Sequence, residues 1–179
     1  MIPVQKKANI GGLIALVAVV LVVLSGISSI GTYNTLVRLD QGVQAQWAQV
    51  ENAYQRRQDL VPNLVSTVKG AAEFEKSTFT AVTEARARAG QTTVNPNGDP
   101  ATFAKAQQAQ DGLSSALSRL MVVVEKYPDL KATENFRDLQ AQLEGTENRI
   151  SVERMRFNEA AQTFNARRDS FPTSLVAGM

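Results

Sequence analysis

The sequence contains neither cysteine nor histidine. Their absence excludes disulfides, thiol nucleophiles, imidazole bases and zinc sites built from these two residue types. Only carboxylates, Lys, Ser, Thr and Tyr remain to carry out reaction chemistry. We therefore expect a protein that is not an enzyme, that holds no cofactor and no metal, and that has no small-molecule substrate.

Excess charge of one sign is also scarce, since the formal net charge is only +2. The nineteen Lys and Arg residues include Lys6 and Lys7, which precede a long apolar run. From Tyr33 onward, seventeen cations balance seventeen carboxylates. Nucleic-acid binding needs a concentrated basic face, so we expect no nucleic-acid partner.

What the sequence does have is a long apolar run, "IGGLIALVAVVLVVLSGISSI", from Ile10 to Ile30. Roughly 20 apolar residues cross the hydrocarbon core of a bilayer as a helix. The alternative is a secretory signal, with cleavage near "GIS" at residues 26–28, but the apolar region of a signal is usually only about 7 to 15 residues long. We predict a short tail at residues 1–8 and a retained transmembrane helix at residues 9–31.

The residues that flank this run predict its orientation and a contact. Lys6 and Lys7 place the N-terminus in the cytoplasm of a bacterial cell by the positive-inside rule, with the remainder outside the inner membrane. Small residues crowd the outer end of the run, and their spacing lets two helices approach closely. The candidates for self-association are Ser25, Gly26 and Ser29. The competing interpretation is that small residues are merely tolerated near the membrane surface.

After the run, apolar residues recur at alternating spacings of three and four, the pattern of helices that pack as in a coiled coil. The first such helix is predicted over 32–89, continuous with the membrane span and kinked at Pro62. A loop is predicted at 91–99, where Asn-Pro and Asn-Gly are turn signals. Asp99 as N-cap and Pro100 as first residue begin the next helix.

Two more helices are predicted, over 99–127 and 132–168, separated by the break at Pro128. No segment has the pattern of a strand. The predicted fold is all-α: a transmembrane helix continuous with an elongated antiparallel bundle of three long helices at 32–179, with a possible short fourth helix at the C-terminus. The side chains predicted to pack in the core are Trp47, Tyr54, Leu64, Phe103, Leu117, Phe136, Phe157 and Phe164.

Three groups of residues could carry a function, and for each a structural role is favoured. Trp47 lies on the packing seam and is expected in the core rather than at a partner contact. Arg56 and Arg57 with Asp59 could bind an anion, but ion pairing along a helix surface is favoured. The carboxylates that could form a metal cage lack the histidines that such cages use. They are Glu51, Glu144, Glu147 and Glu153.

The blocks "WAQVEN" at residues 47–52 and "LEGTEN" at residues 143–148 resemble the LemA family of bacterial membrane proteins, as does "FPTSLVAG" near the end. The resemblance implies one N-terminal transmembrane helix, a domain of long antiparallel helices and no established enzymatic activity. It supplies no catalytic residues. One branch of the family is similar to a protein of magnetosome membranes, and other members are encoded beside membrane metalloproteases.

Together these features favour a self-associating scaffold of the bacterial inner membrane, a homo-oligomer without catalysis. The alternative is a monomeric adaptor that presents its bundle to a membrane protease or to a partner in envelope-stress signalling. Crosslinks in intact membranes separate the two hypotheses, because a scaffold crosslinks mainly to itself and an adaptor to another protein.

Overall fold

The computed structural model describes residues 10–69, 76–91, 94 and 99–177, and this part of the chain contains helices and no strand. The predicted all-α fold is confirmed. The predicted tail at 1–8 lies outside the described residues, as does most of the loop at 91–99. The helices are α1 (Ile10–Lys69), α2 (Lys76–Gly90), α3 (Pro100–Val124), α4 (Pro128–Lys131), α5 (Glu134–Asp169) and α6 (Thr173–Ala177).

Helix α1 begins in the apolar run and continues for 60 residues. Pro62 lies inside it, so the missing backbone donor of this proline does not end the helix. The chain divides into two compact units. One is formed by residues 1–41 with 161–179, and the other by residues 42–160.

The single helix predicted over 32–89 is wrong, because this stretch contains two helices. Arg86 donates a hydrogen bond from its Nε to the backbone carbonyl of Gln58, at 2.9 Å. In one straight helix these residues would lie about 42 Å apart at 1.5 Å per residue. The chain therefore folds back between Lys69 and Lys76, and α2 lies beside the end of α1.

A signal for this reversal is present in the sequence. Lys69 is followed by Gly70, and a basic last turn followed by glycine is a common end of a helix. The three-four spacing of apolar residues continues across this signal, so spacing alone favours one uninterrupted helix. The described residues thus contain four helices of 15 residues or more, where three long helices were predicted.

Local signals place the start of α3 correctly. The Asp99 carboxylate accepts hydrogen bonds from the backbone N–H groups of Ala101 and Thr102, at 3.1 and 3.2 Å. Pro100 is the first helical residue, where its missing N–H costs nothing. Helix α3 ends at Val124, and the short α4 fills the break that Pro128 predicted.

The core of the 42–160 unit is built mainly from aliphatic side chains of α1, α2, α3 and α5, with Phe136 of α5 and Leu130 of α4. Phe136 and Leu64 are among its largest fully buried side chains. Beside it lies an aromatic group, in which the Trp47 ring is 5.0 Å from Phe103 and 5.2 Å from Phe157, centre to centre. Of the side chains predicted to pack in the core, six are buried, and Phe103 and Phe164 are half-buried. The six are Trp47, Tyr54, Leu64, Leu117, Phe136 and Phe157.

Candidate functional site: an exposed apolar helix and a buried arginine centre

The first candidate site is the apolar part of α1. It contains an 18-residue window with mean hydropathy 2.8, of which nothing is buried. The large apolar side chains from Leu13 to Ile30 are each 46–70% exposed. Contiguous apolar surface of this extent marks an interaction site for a membrane or a partner, and the length suffices to cross a bilayer. By length and composition, this is one helix that can span a membrane.

The predicted self-association residues lie in this segment. Gly26 is exposed, and a Cβ atom built on it would meet nothing within 4 Å. Ser29 is half-buried, and the side chain of Ser25 lies outside what the structure describes. The structure therefore leaves open space at Gly26, where a second helix would have to approach.

The second candidate site is a polar centre inside the 42–160 unit, around Arg57. This side chain is only 1% exposed although it carries a full charge. A buried guanidinium is costly unless its N–H groups are paired. The protein supplies those partners from two other helices, α3 and α5.

Two residues of α3 and one of α5 accept hydrogen bonds from the two terminal nitrogens of the guanidinium, whereas its buried Nε has no hydrogen-bond partner among the described residues. Nη1 donates to Glu147 Oε1 at 2.8 Å and to the Ser114 hydroxyl. Nη2 donates to the side-chain oxygen of Gln110, and to its backbone oxygen at 3.1 Å. Gln110 in turn donates from Nε2 to the Ala89 carbonyl of α2, at 3.3 Å. One arginine thus connects α1 directly to α3 and α5, and to α2 through Gln110.

The electrostatic surroundings of this centre are asymmetric. Glu147 is 37% exposed whereas Arg57 is buried, so the negative charge reaches water and the positive charge does not. The Arg57 guanidinium also lies 5.4 Å from the centre of the Tyr54 ring, a cation–π distance. Burial raises the pKa of the Tyr54 hydroxyl, and the nearby cations Arg154 and Arg57 oppose that rise.

The surface ion pair predicted for Arg57 is therefore wrong. Its neighbour Arg56 is exposed, and Asp59 accepts a hydrogen bond from Gln55 at 2.8 Å. The sequence signal lies in the spacing, because Arg57 occupies the seam position between Tyr54 and Val61. This spacing alone does not identify Arg57 as a core residue, since nothing local indicates that acceptors arrive from distant helices.

The four glutamates considered as a metal cage are not brought together. Glu147 pairs with Arg57, and Glu153 lies 3.2 Å from Arg156 and 3.9 Å from Arg149. Glu144 accepts a hydrogen bond from Gln140, and Glu51 lines a groove formed by α1, the end of α2 and α3. Across the described residues, no group of three carboxylates is arranged to hold a metal ion.

Two grooves flank the arginine centre. The larger, of about 470 Å³, lies between α3 and α5 and includes Ser114 and Glu147 from the centre itself. Leu117, Met121 and Leu143 give it an apolar lining. The smaller, of about 280 Å³, is lined by residues of α1, the end of α2 and α3, including Trp47 and Gln110.

Comparison with known proteins identifies the family of this chain. The model of the LemA family matches residues 46–179, three quarters of the sequence. The chain belongs to the LemA family. The matched region includes the arginine centre, both grooves and α6, but not the apolar part of α1.

Curated relatives share a quarter to a third of their residues with this LemA-family chain. Magnetosome protein MamQ 2 of Paramagnetospirillum magneticum is 29% identical, and the match covers 81% of the chain and 60% of that protein. Magnetosome protein MamQ of Magnetospirillum gryphiswaldense is 27% identical with the same coverage. Protein LemA of Metamycoplasma hominis is 24% identical, over 82% of the chain and 64% of that protein. The chain thus spans less than two thirds of the length of these relatives.

Family membership and the exposed apolar helix lead to the same coarse conclusion. Both indicate a membrane-associated protein with a helical bundle, and the predicted resemblance to the LemA family is confirmed.

Proposed function

We propose that this LemA-family chain is a self-associating scaffold of the bacterial inner membrane, anchored by the apolar part of α1 and without catalytic activity. The observation that carries the proposal is the continuity of α1. The exposed apolar segment and the buried seam of the bundle are parts of one helix, Ile10–Lys69. Copies that associate through the first part would therefore gather several bundles at one membrane, as a scaffold requires.

The relatives support a structural role. Two of them are named as magnetosome proteins, a name that refers to a cell structure rather than to a reaction. The small side chains at Gly26 and Ser29 are suited to close helix contact within a membrane. Such contact between identical copies in one bilayer gives a parallel assembly with all N-termini on the same side.

The assembly is tested by widening the small-residue face. Replacing Ser25, Gly26 and Ser29 together with Leu keeps the segment apolar and long enough to span. The oligomer of the full chain in detergent should shift to smaller species in native gels, with its helical circular dichroism unchanged. Gly31→Leu is the control, because at 100° per residue Gly31 lies on the other side of α1. An oligomer unchanged by the triple substitution, or a chain that is monomeric by mass photometry from the start, would contradict self-association through this face.

We further propose that the N-terminus is cytoplasmic and that the bundle lies on the outer side, because Lys6 and Lys7 are the uncompensated charges beside the run. The natural chain has no cysteine, so Gln108→Cys on the exposed surface of α3 is a unique label. An impermeant maleimide should modify it in whole cells once any outer membrane has been permeabilised. Modification only after lysis of the inner membrane would reverse the orientation.

A second candidate function is that of a monomeric adaptor for a membrane protease or for a partner in envelope-stress signalling. The groove of about 470 Å³ between α3 and α5 favours it, because its apolar side chains Leu117, Met121 and Leu143 lie among polar ones and suit an amphipathic segment of a partner. Crosslinking in intact membranes distinguishes the two functions. Predominant self-crosslinks support the scaffold, and predominant crosslinks to one other membrane protein support the adaptor.

A further inference from the structure

The C-terminal part of the chain belongs to the same compact unit as the apolar part of α1. This unit contains residues 1–41 and 161–179. Along α1, the large apolar side chains from Leu13 to Ile30 are exposed, Thr32 is half-buried and Leu36 is 9% exposed. Among the described residues of this unit, the remaining segment is 161–177. Burial along α1 thus begins where its apolar run ends.

The lengths of the α1 and α5 segments in this unit allow α6 to reach the level at which burial along α1 begins. From Gln41, where α1 leaves the unit, back to Ile30 is about 16 Å at 1.5 Å per residue. From Ala161, where α5 enters the unit, to its end at Asp169 is about 12 Å. The turn after Asp169 and α6 itself cover the few remaining ångströms. By chain length, residues 170–175 can therefore reach the position at which the apolar run would enter the bilayer.

The surface of this C-terminal corner, which we define as residues 167–175, is apolar and basic. Phe171 is 82% exposed and Leu175 is 65% exposed, whereas Thr173 between them is 1% exposed. The side chains of Phe171 and Leu175 therefore form the apolar surface of the corner on either side of the buried Thr173. The Ser174 N–H donates to the Ser170 carbonyl at 2.8 Å, which keeps the turn closed.

Charged side chains lie next to these apolar side chains at the corner. Arg168 forms an ion pair with Asp169 at 2.8 Å and lies 5.9 Å from the centre of the Phe164 ring. Arg167 is exposed beside them. An exposed aromatic and an aliphatic side chain next to an arginine are typical of surfaces that lie in the interface of a membrane.

We propose that the C-terminal corner is a second membrane contact. Phe171 and Leu175 insert into the interfacial layer of the bilayer that α1 spans, and Arg167 faces the lipid phosphates. The proposal rests on the transmembrane role of α1 proposed above. The occupant is a lipid surface because the corner belongs to the same compact unit as the apolar run. Two contacts, one across the bilayer and one on its surface, would restrict the tilt of α1.

Depth-dependent quenching in vesicles tests this contact. Phe171→Cys and Leu175→Cys, each labelled with an NBD fluorophore in the full chain, are reconstituted into phosphatidylcholine and phosphatidylglycerol vesicles that contain nitroxide-labelled lipids. The matched control is Gln162→Cys, an exposed position of α5 in the same unit. Leu21→Cys, in the middle of the apolar run, reports on the span itself. Circular dichroism checks that each variant remains helical.

The contact predicts blue-shifted emission at both corner positions and quenching by nitroxides placed near the headgroups, with Gln162 unshifted and weakly quenched. Leu21 should be quenched by nitroxides placed deep in the acyl chains. If Leu21 is quenched and the corner positions behave like Gln162, the corner contact is wrong and the span stands. If Leu21 is not quenched, the span fails and the corner proposal with it. A blue shift without quenching, dependent on the ratio of protein to lipid, would assign the corner to a second copy and overturn the proposal.

Discussion

Arg57 of α1 and Glu147 of α5 form an ion pair at 2.8 Å although they are 90 positions apart in the chain. The arginine is 1% exposed and the glutamate 37% exposed. Because the two charges differ in access to water, the two partners should contribute unequally to stability. Removing either one leaves the other in a different environment, and this asymmetry can be measured.

Glu147→Leu should lower the free energy of unfolding by about 3 kcal/mol, since it leaves a buried guanidinium without a carboxylate. Arg57→Met retains similar volume and leaves a carboxylate that can turn to water, so its loss should be smaller by about 1 kcal/mol or more. Denaturant titration followed by circular dichroism measures both. The exposed pair Arg154–Asp111, at 3.0 Å between α5 and α3, is the control, and Asp111→Asn should cost less than about 1 kcal/mol. If Glu147→Leu and Arg57→Met lower the free energy of unfolding equally, the difference in burial between the two charges does not determine the cost of removing a partner.

Phe157→Ala should cost about 3 to 5 kcal/mol, because it removes a buried ring from the aromatic group. The ring centre of Phe157 lies 5.2 Å from that of Trp47, the sole tryptophan of the protein. The cavity should admit water, shift Trp47 emission to the red and increase its quenching by acrylamide. Met155→Ala removes an exposed side chain of the same helix and should change stability by less than about 0.5 kcal/mol. Unchanged Trp47 emission in Phe157→Ala would contradict the contact.

Gly112→Ala and Gly145→Ala should each stabilise the protein by about 0.5 to 1 kcal/mol, since both lie inside helices, where glycine is unfavourable. A Cβ at either position would meet nothing within 4 Å. Gly90→Ala is the comparison, because its Cβ would lie 3.2 Å from the side-chain oxygen of Gln58. That side chain must move, so the gain at Gly90 should be smaller. Thermal unfolding ranks the stabilities of the three variants. If Gly90→Ala stabilises the protein as much as the other two, the contact with the Gln58 side chain is absent.

Asp99 should make stability depend on pH in the acidic range. Its hydrogen bonds with the N–H of Ala101 and with Thr102 hold its pKa below the usual 3.8. A lowered pKa in the folded state means that the stabilisation is complete above 3.8 and is lost as the pH falls through the folded value. Asp99→Asn keeps a capping side chain but cannot titrate. Its melting temperature should therefore decline less than that of the natural protein between pH 5 and about pH 3, where the unfolded carboxyl titrates. If the melting temperatures of both proteins decline in parallel, other carboxyl groups cause the pH dependence.

Features that depend on neighbours along the chain could be predicted from the sequence. The apolar run needs only length and composition to be recognised as a candidate span. The Asp99 cap joins atoms two and three residues apart, and Pro100 and Pro128 act on the backbone at their own positions. The same holds for α5, whose predicted bounds of 132–168 differ by one or two residues from Glu134–Asp169.

The reversal after Lys69 and the role of Arg57 were decided by tertiary structure. The three-four spacing of apolar residues is the same whether one helix continues or two helices fold against each other. Spacing therefore did not reveal that Arg86 reaches the carbonyl of Gln58. Likewise, a charge at a seam position is unfavourable in an isolated helix, and Arg57 is stable inside only because Gln110 and Glu147 bring acceptors from 53 and 90 positions away. Such long-range pairing leaves no local pattern, because its free energy arises only when the helices have already packed.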